Sequence, residues 1–263
     1  MINSVCDTLL QLSIVTPLAV AARRKNGNSR TGWLIVAALV FISTALATDF
    51  LSNMPLFEGQ QWNWTGKAVS LLIALTFIFT FKSFTPQQYG LTTKMNRTNV
   101  KPIFLICAVY FLLRVLLYYV ATKQAATFHT ETILFQATIP GLEEEIVFRG
   151  ILLMLLNHLF TKSKWTFAKV PFGWAAILTS ILFGLTHGIF FDSSFHLQLN
   201  IFSFLRTAFE GFLFAMLVEK TKSLVPGILF HNVLNLIGNH WPAKQHTALA
   251  LLSRRVSRQE IMK

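Results

Sequence analysis

Residues 140–150 read Pro-Gly-Leu-Glu-Glu-Glu-Ile-Val-Phe-Arg-Gly, three carboxylates and a guanidinium inside a run apolar enough to cross a membrane. Each charge near the centre of a membrane helix costs about 2.5–3.5 kcal/mol, whereas a Leu, Ile, Phe or Val returns about 0.3–0.6 kcal/mol. Four charges therefore cost on the order of 10 kcal/mol, more than the following Ile151–Leu156 run returns. Such a cluster persists only if it faces the protein interior or a wet cavity, and its default reading is a functional site. Glu145 and Arg149 are spaced i, i+4 with the glutamate first, the favoured order for an ion pair along one helix face. Glu144 then points about a quarter turn away and is free for other work. The alternative is that the charges line a channel or bind a cation.

Two later runs add chemistry. Phe183 stands four residues before His187, with Gly184 and Gly188 bracketing the turn and allowing close approach by another helix. His231 and Asn235 share one helix face at i, i+4, just after Pro226-Gly227. A lone histidine in an apolar helix is more often a hydrogen-bonded structural residue; a glutamate cluster one span away moves His187 toward an acid/base partner or ligand. Arg206 and Glu210, also i, i+4, read as a self-satisfied buried pair, the alternative being that they line the cavity. Arg114, in mid-span, reads as snorkelling or structurally paired, the alternative being a partner for the carboxylates. His158, His196, His240 and His246 fall at span ends or in loops and are read as structural.

The elements that must position these residues follow from composition. The chain has 263 residues, 53% hydrophobic and 13% charged, with the apolar residues in long runs instead of the alternations of a soluble core. Runs near 9–22, 33–48, 68–81, 102–121, 132–160, 173–191, 198–218 and 224–240 predict seven or eight membrane helices, at roughly 20 residues per crossing. The fold class is all-α, a polytopic membrane helix bundle of about eight transmembrane helices with a buried polar cavity, and one integral membrane domain fills 1–263. Pro140-Gly141 is expected to break or kink the fifth helix, and a helix opening at Glu143 or its neighbour would offer free N–H groups to the carboxylates. The loop from Asp49 to Lys67 holds Trp62 and Trp64, which read as interfacial anchors.

A net charge of +12 would suggest nucleic acid in a soluble protein, but here it tracks topology and no nucleic-acid partner is expected. Arg23, Arg24, Lys25 and Arg30, then Lys82, Lys94, Arg97 and Lys101, then Lys162, Lys164 and Lys169, then Lys220 and Lys222 fall in alternate loops. The opposite loops hold only Lys67 and Lys123, so the first set is expected inside and the N-terminus outside. The basic tail 241–263, with Lys244, Arg254, Arg255, Arg258 and Lys263, disagrees with an even number of spans. Cys6 and Cys107 have no metal-ligand spacing and imply no disulfide framework. Segment 9–22 lacks the features of a cleaved signal and is read as a retained helix.

Three motifs, Glu-Glu-x-x-x-Arg at Glu144–Arg149, Phe-x-x-x-His at Phe183–His187 and His-x-x-x-Asn at His231–Asn235, come in order on successive late helices. In this the chain resembles the CPBP family of intramembrane proteases, the CAAX-prenyl endopeptidases and bacteriocin-processing or immunity proteins also called Abi, over a core of about 130–240. The resemblance implies peptide-bond hydrolysis within the membrane. Glu144 and His187 would activate water, while His231 and Asn235 would bind the oxyanion or, in a metal-dependent description, help hold a metal. Glu145 and Arg149 would support them. Zinc on Glu144, His187 and His231 is the cofactor the metal-dependent description implies, and the other description needs none.

His-Glu-x-x-His and Gly-x-Ser-x-Gly are both absent, so other intramembrane protease classes find no support. The expected partners are the lipid bilayer and a membrane-associated peptide or protein substrate, and the expected location is a bacterial inner (plasma) membrane. Two other readings remain: a non-catalytic scaffold or bacteriocin-immunity protein of the same fold, and an ion-coupled transporter, which no internal inverted repeat supports.

Overall fold

The computed structural model describes residues 2–24, 32–52, 54–122, 129–160 and 165–238. Its helices are α1 (Ile2–Arg24), α2 (Gly32–Phe50), α3 (Trp64–Thr80), α4 (Lys101–Thr122), α5 (Thr130–Gln136), α6 (Ile139–Glu145), α7 (Leu153–Leu159), α8 (Trp174–Gly188), α9 (Ile201–Thr221) and α10 (Val225–Gly238). The expected all-α bundle stands. α1, α2, α4 and α9 are each long and apolar enough to cross a membrane, and α3, α8 and α10 are shorter apolar helices. The basic tail and the loop charges Lys25, Arg30, Lys123, Lys162 and Lys164 lie outside the described residues.

The expected fifth span is a composite. α5 stops at Gln136, and Pro140, which has no N–H to give to the preceding turn, lies in the first turn of the restarted helix. From Ile139 the helix then runs without interruption to Leu159, passing through a π-helical stretch, Ile146–Leu152, between α6 and α7. All seven π-helical residues are buried, which fits a sequence apolar on every side except at Arg149. π-Helical turns are rare and concentrate at functional sites. This rod is the centre of the bundle, contacted by α2, α3, α8, α9 and α10.

Close helix contacts set the geometry around it. α9 packs along α8 because Gly184 has no side chain: a Cβ there would lie 2.7 Å from Ala208 Cβ and 2.8 Å from the Phe204 carbonyl oxygen. α10 is clipped to the restart of the composite span, where Asn232 Oδ1 accepts the Gly141 amide N–H at 2.9 Å and Asn232 Nδ2 donates to the Thr138 carbonyl at 3.2 Å. α4 lies at the rim, with Leu105, Val109, Leu112 and Leu116 exposed to the lipid side. Its Arg114 meets Glu210 of α9, which also accepts Arg206 Nη1 at 3.0 Å and the Tyr110 hydroxyl at 2.7 Å. Arg114 is thus structurally paired and is no partner of the carboxylate cluster, while the Arg206–Glu210 pair forms but is not self-satisfied, since Glu210 is shared with Arg114 and Tyr110.

Trp62 and Trp64 do more than mark an interface. The Trp62 ring stacks on Phe135 at 5.3 Å, its indole N–H donates to Thr132 Oγ1, and the Trp64 indole donates to Glu131, fastening the α2–α3 loop to α5.

Two short hairpins were not expected from the sequence. β1 (Trp165–Phe167) pairs with β2 (Val170–Phe172) across Ala168-Lys169, both at positive φ, as a two-residue primed turn requires. β3 (Ile189–Phe191) pairs with β4 (Leu197–Leu199), so the run read as 173–191 leaves the helix at Gly188. Ile189-Phe190-Phe191 is a strand-favouring triplet, and Asp7 of α1 accepts the Phe191 amide at 2.7 Å, holding the hairpin against the first helix.

Candidate active site

Three consecutive glutamates on one helix must fan around its axis, and here each finds different partners. Glu145, wholly buried, accepts Arg149 Nη1 at 3.0 Å and meets His231 Nδ1 at 2.9 Å. The expected i, i+4 ion pair therefore forms and carries a histidine from α10 as a third member. Glu144 receives Lys67 Nζ on Oε1 at 2.7 Å, and its Oε2 faces His231 Nε2 at 3.6 Å and His187 Nε2 at 4.0 Å. Glu143 takes the same Lys67 ammonium at 2.7 Å on one oxygen and the Ser70 hydroxyl on the other.

The carboxylates are not held by a helix terminus, as the Pro-Gly break suggested. α6 opens at Ile139, so its first turn contains no acid, and the free amide of Gly141 goes to Asn232 instead. Side-chain partners neutralise the charge: Lys67 and Ser70 from α3, Arg149 from the π-helical stretch and His231 from α10. Lys67, counted from sequence as an outer-loop charge, lies in the first turn of α3 and points into the protein.

Aromatic rings fix the second layer. The Arg149 guanidinium carbon lies 4.3 Å from the Phe183 ring centroid, with Phe214 at 5.2 Å and Phe148 at 5.5 Å, a cage that holds a cation by the negative faces of its rings. Phe183 thus serves two residues at once, since its ring also lies 4.7 Å from that of His187. The His231 ring stacks on Phe214, with centroids 4.8 Å apart and planes 11° from parallel.

Hydrogen bonding orients both imidazoles. An ionised carboxylate only accepts, so Glu145 assigns the His231 proton to Nδ1. The Phe183 carbonyl, 2.9 Å from His187 Nδ1, assigns the His187 proton in the same way. Each ring therefore turns Nε2 toward Glu144 Oε2, a buried oxygen with no hydrogen-bond partner of its own. Glu144 Oε2 and His187 Nε2 are convergent acceptors that suit a water, which brings two hydrogens to them.

The cluster lies at the base of a cavity of about 350 Å³ whose walls come from α1, α2, α3, α6 and α8 and include Asp7, Thr44, Asp49, Lys67, Glu144 and His187. The His187 side chain is 36% exposed and lines the cavity, whereas that of His231 is 6% exposed and lies behind Glu144. Asn235 lies one turn beyond His231 on the same face of α10 and is half-buried.

Two imidazole nitrogens and a carboxylate are a donor set zinc accepts, with ligands about 2.0–2.2 Å from the ion. Among the described residues, no group of three or more His, Cys, Asp or Glu side chains closes tightly enough to hold an ion. Glu144 already has the Lys67 ammonium against it. As they stand, the residues do not fit a metal.

Lys67, Ser70 and Asn232 are members of this site that sequence reasoning passed over. The available signal was Lys67 and Ser70 at i, i+3 on one face of an otherwise apolar helix. Residues 127–237 match a family model described as type II CAAX prenyl endopeptidase Rce1-like, bearing out the family resemblance read from the three motifs. No curated protein and no solved structure matches the chain.

Proposed function

We infer, from the match of residues 127–237 to a family model described as type II CAAX prenyl endopeptidase Rce1-like, that this membrane protein hydrolyses a peptide bond of a membrane-associated peptide or protein. The observation that carries the reading is the convergence of Glu144 Oε2, His187 Nε2 and His231 Nε2, from three different helices, beside a cavity that Glu144 and His187 line.

In the proposed reaction a water sits between Glu144 Oε2 and His187 Nε2. Glu144 takes one of its protons as the oxygen attacks the scissile carbonyl carbon, a general-base step whose geometry requires only that one water bridge the two groups. The carbonyl oxygen acquires negative charge and faces α10. There His231 Nε2 and the Asn235 amide, one turn apart on the same face, are the donors placed to receive it, the arrangement that stabilises an oxyanion. Collapse of the tetrahedral intermediate breaks the C–N bond, and the proton held by Glu144 passes to the leaving amine. Glu145 and Arg149 hold His231 in register. No step runs through a metal.

The location proposed is a bacterial inner membrane, with Arg23 and Arg24 at the end of α1, Lys82, Lys94 and Arg97 after α3, and Lys222 after α9 on the cytoplasmic side by the positive-inside rule. The cavity then lies in the outer half of the bilayer, where α3 begins and α8 ends. Purified full-length protein is tested on a panel of fluorogenic peptides, one of them prenylated, beside Glu144→Gln and His231→Ala. Cleavage by the wild type that both variants lose supports the reading. Equal cleavage by all three sinks it and favours a non-catalytic role.

A further inference from the structure

Lys67 makes the only cationic contacts to Glu143 and Glu144 among the described residues apart from the histidines, and it divides Glu144 in two. Oε1 is occupied by the ammonium, whereas Oε2 is left to face the imidazoles. The terminal torsion of a glutamate is broad and roughly two-fold, so nothing intrinsic to Glu144 chooses that orientation. An external donor must.

The donor is itself held. Lys67 Nζ spans Glu143 Oε2 and Glu144 Oε1 at 2.7 Å each, and Glu143 is anchored through its other oxygen by Ser70. Lys67 and Ser70 stand at i, i+3 on α3, and Glu143 and Glu144 are neighbours on α6. Four side chains from two helices therefore make one continuous chain, Ser70–Glu143–Lys67–Glu144, buried at Ser70 and Glu143 and half-buried at Lys67 and Glu144. It meets the second chain, Arg149–Glu145–His231, across the 3.6 Å between Glu144 Oε2 and His231 Nε2.

We propose that Lys67 is a positioning residue for hydrolysis, bridging Glu143 and Glu144 so that Glu144 keeps Oε1 occupied and presents Oε2 to the water and the two histidines. The inference rests on the protease reading above. Its consequence is specific to the chemical step. Lys67 holds the base and need not hold the substrate, so losing it lowers kcat with little change in KM, the pattern of an interaction that matters in the transition state alone.

The experiment compares wild type, Lys67→Met, Lys67→Arg, Glu143→Gln, the Lys67→Met/Glu143→Gln double variant and Glu144→Gln on a peptide that the wild type cleaves, with thermal unfolding in detergent as the fold control. Misplacing a catalytic group by about 1 Å costs about 100-fold, so Lys67→Met is expected to lose about 10- to 100-fold in kcat, with KM within about threefold. Lys67→Arg, which can still span two carboxylates, is expected to recover most of that loss. Glu143 acts through Lys67, so the double variant is expected to be no slower than Lys67→Met alone.

Two results overturn the proposal: Lys67→Met turning over within about twofold of wild type while Glu144→Gln is inactive, or a loss that appears mainly in KM. Should Lys67→Met not fold, Glu143→Gln and Lys67→Arg decide, and wild-type kcat in Glu143→Gln overturns it. If Glu144→Gln cleaves as well as wild type, the protease reading falls, and the role of Lys67 falls with it.

Discussion

His231 Nδ1 lies 2.9 Å from Glu145 Oε1, joining residues 86 positions apart in the chain and locking α10 to the central rod. Because Arg149 holds the same glutamate oxygen at 3.0 Å, the imidazole is oriented by an ion pair that is itself caged in phenylalanine. The Nε2 edge is thereby aimed at Glu144, and the distance between the two chains of charge is set by the packing of α10 on α6.

Glu144→Gln keeps the shape of the side chain and removes the base. Turnover is expected to fall by about 10²- to 10⁴-fold, the usual contribution of a positioned acid or base. Expression and thermal unfolding should stay near wild type, because the amide can still accept from Lys67. Steady-state cleavage measured beside a melting curve checks both halves.

Arg149→Met leaves the Glu145 carboxylate buried without its cation. Breaking a buried pair by removing one partner typically costs about 3–5 kcal/mol, so a large loss of stability is expected. Arg149→Lys should rescue it only in part. An ammonium supplies the charge to Glu145 but not the flat guanidinium that lies over Phe183. Denaturation midpoints of the two variants in detergent test this.

Gly141→Ala would put a Cβ 2.2 Å from Asn232 Oδ1 and 3.1 Å from the Ile228 carbonyl oxygen. α10 must move away from α6, and overpacking of this kind costs about 1–3 kcal/mol. His231 moves with α10, so activity should fall along with stability. In the double variant Gly141→Ala/Asn232→Ala the nearest clash is gone, and the combined destabilisation should be smaller than the sum of the singles. Additive effects would show that the contact does not set the approach of the two helices.

Exhaustive chelation is expected to leave cleavage unchanged, because Lys67 already supplies positive charge to Glu144 and the two histidines stand 3.6 and 4.0 Å from its free oxygen. Activity lost on chelation and restored by zinc would overturn that expectation and assign Glu144, His187 and His231 as ligands.

What the sequence by itself determined is what the bilayer punishes. Charges at 143–145 and 149 inside an apolar run have to be buried and paired, so the glutamate cluster, the Glu145–Arg149 pair and the general position of the site could be read from energetics and spacing alone. Helix count and fold class followed from run length. His187 could be read as a partner because the glutamate cluster lies one span away, and His231 through the family resemblance.

Only the tertiary structure decided which cation serves which carboxylate. Lys67 is separated from Glu144 by 77 positions and sits at a helix start, where a lysine ordinarily reaches for water, so one-dimensional reading placed it in a loop. Likewise Arg114 could have met either acidic cluster, and the packing of α4 on α9 gave it to Glu210. The restart of α6 at Ile139, the π-helical stretch and the departure of the chain from helix at Gly188 were equally hidden. Each depends on contacts made by distant helices, Asn232 on the Gly141 amide and Asp7 on the Phe191 amide among them, and a local pattern carries no record of such contacts.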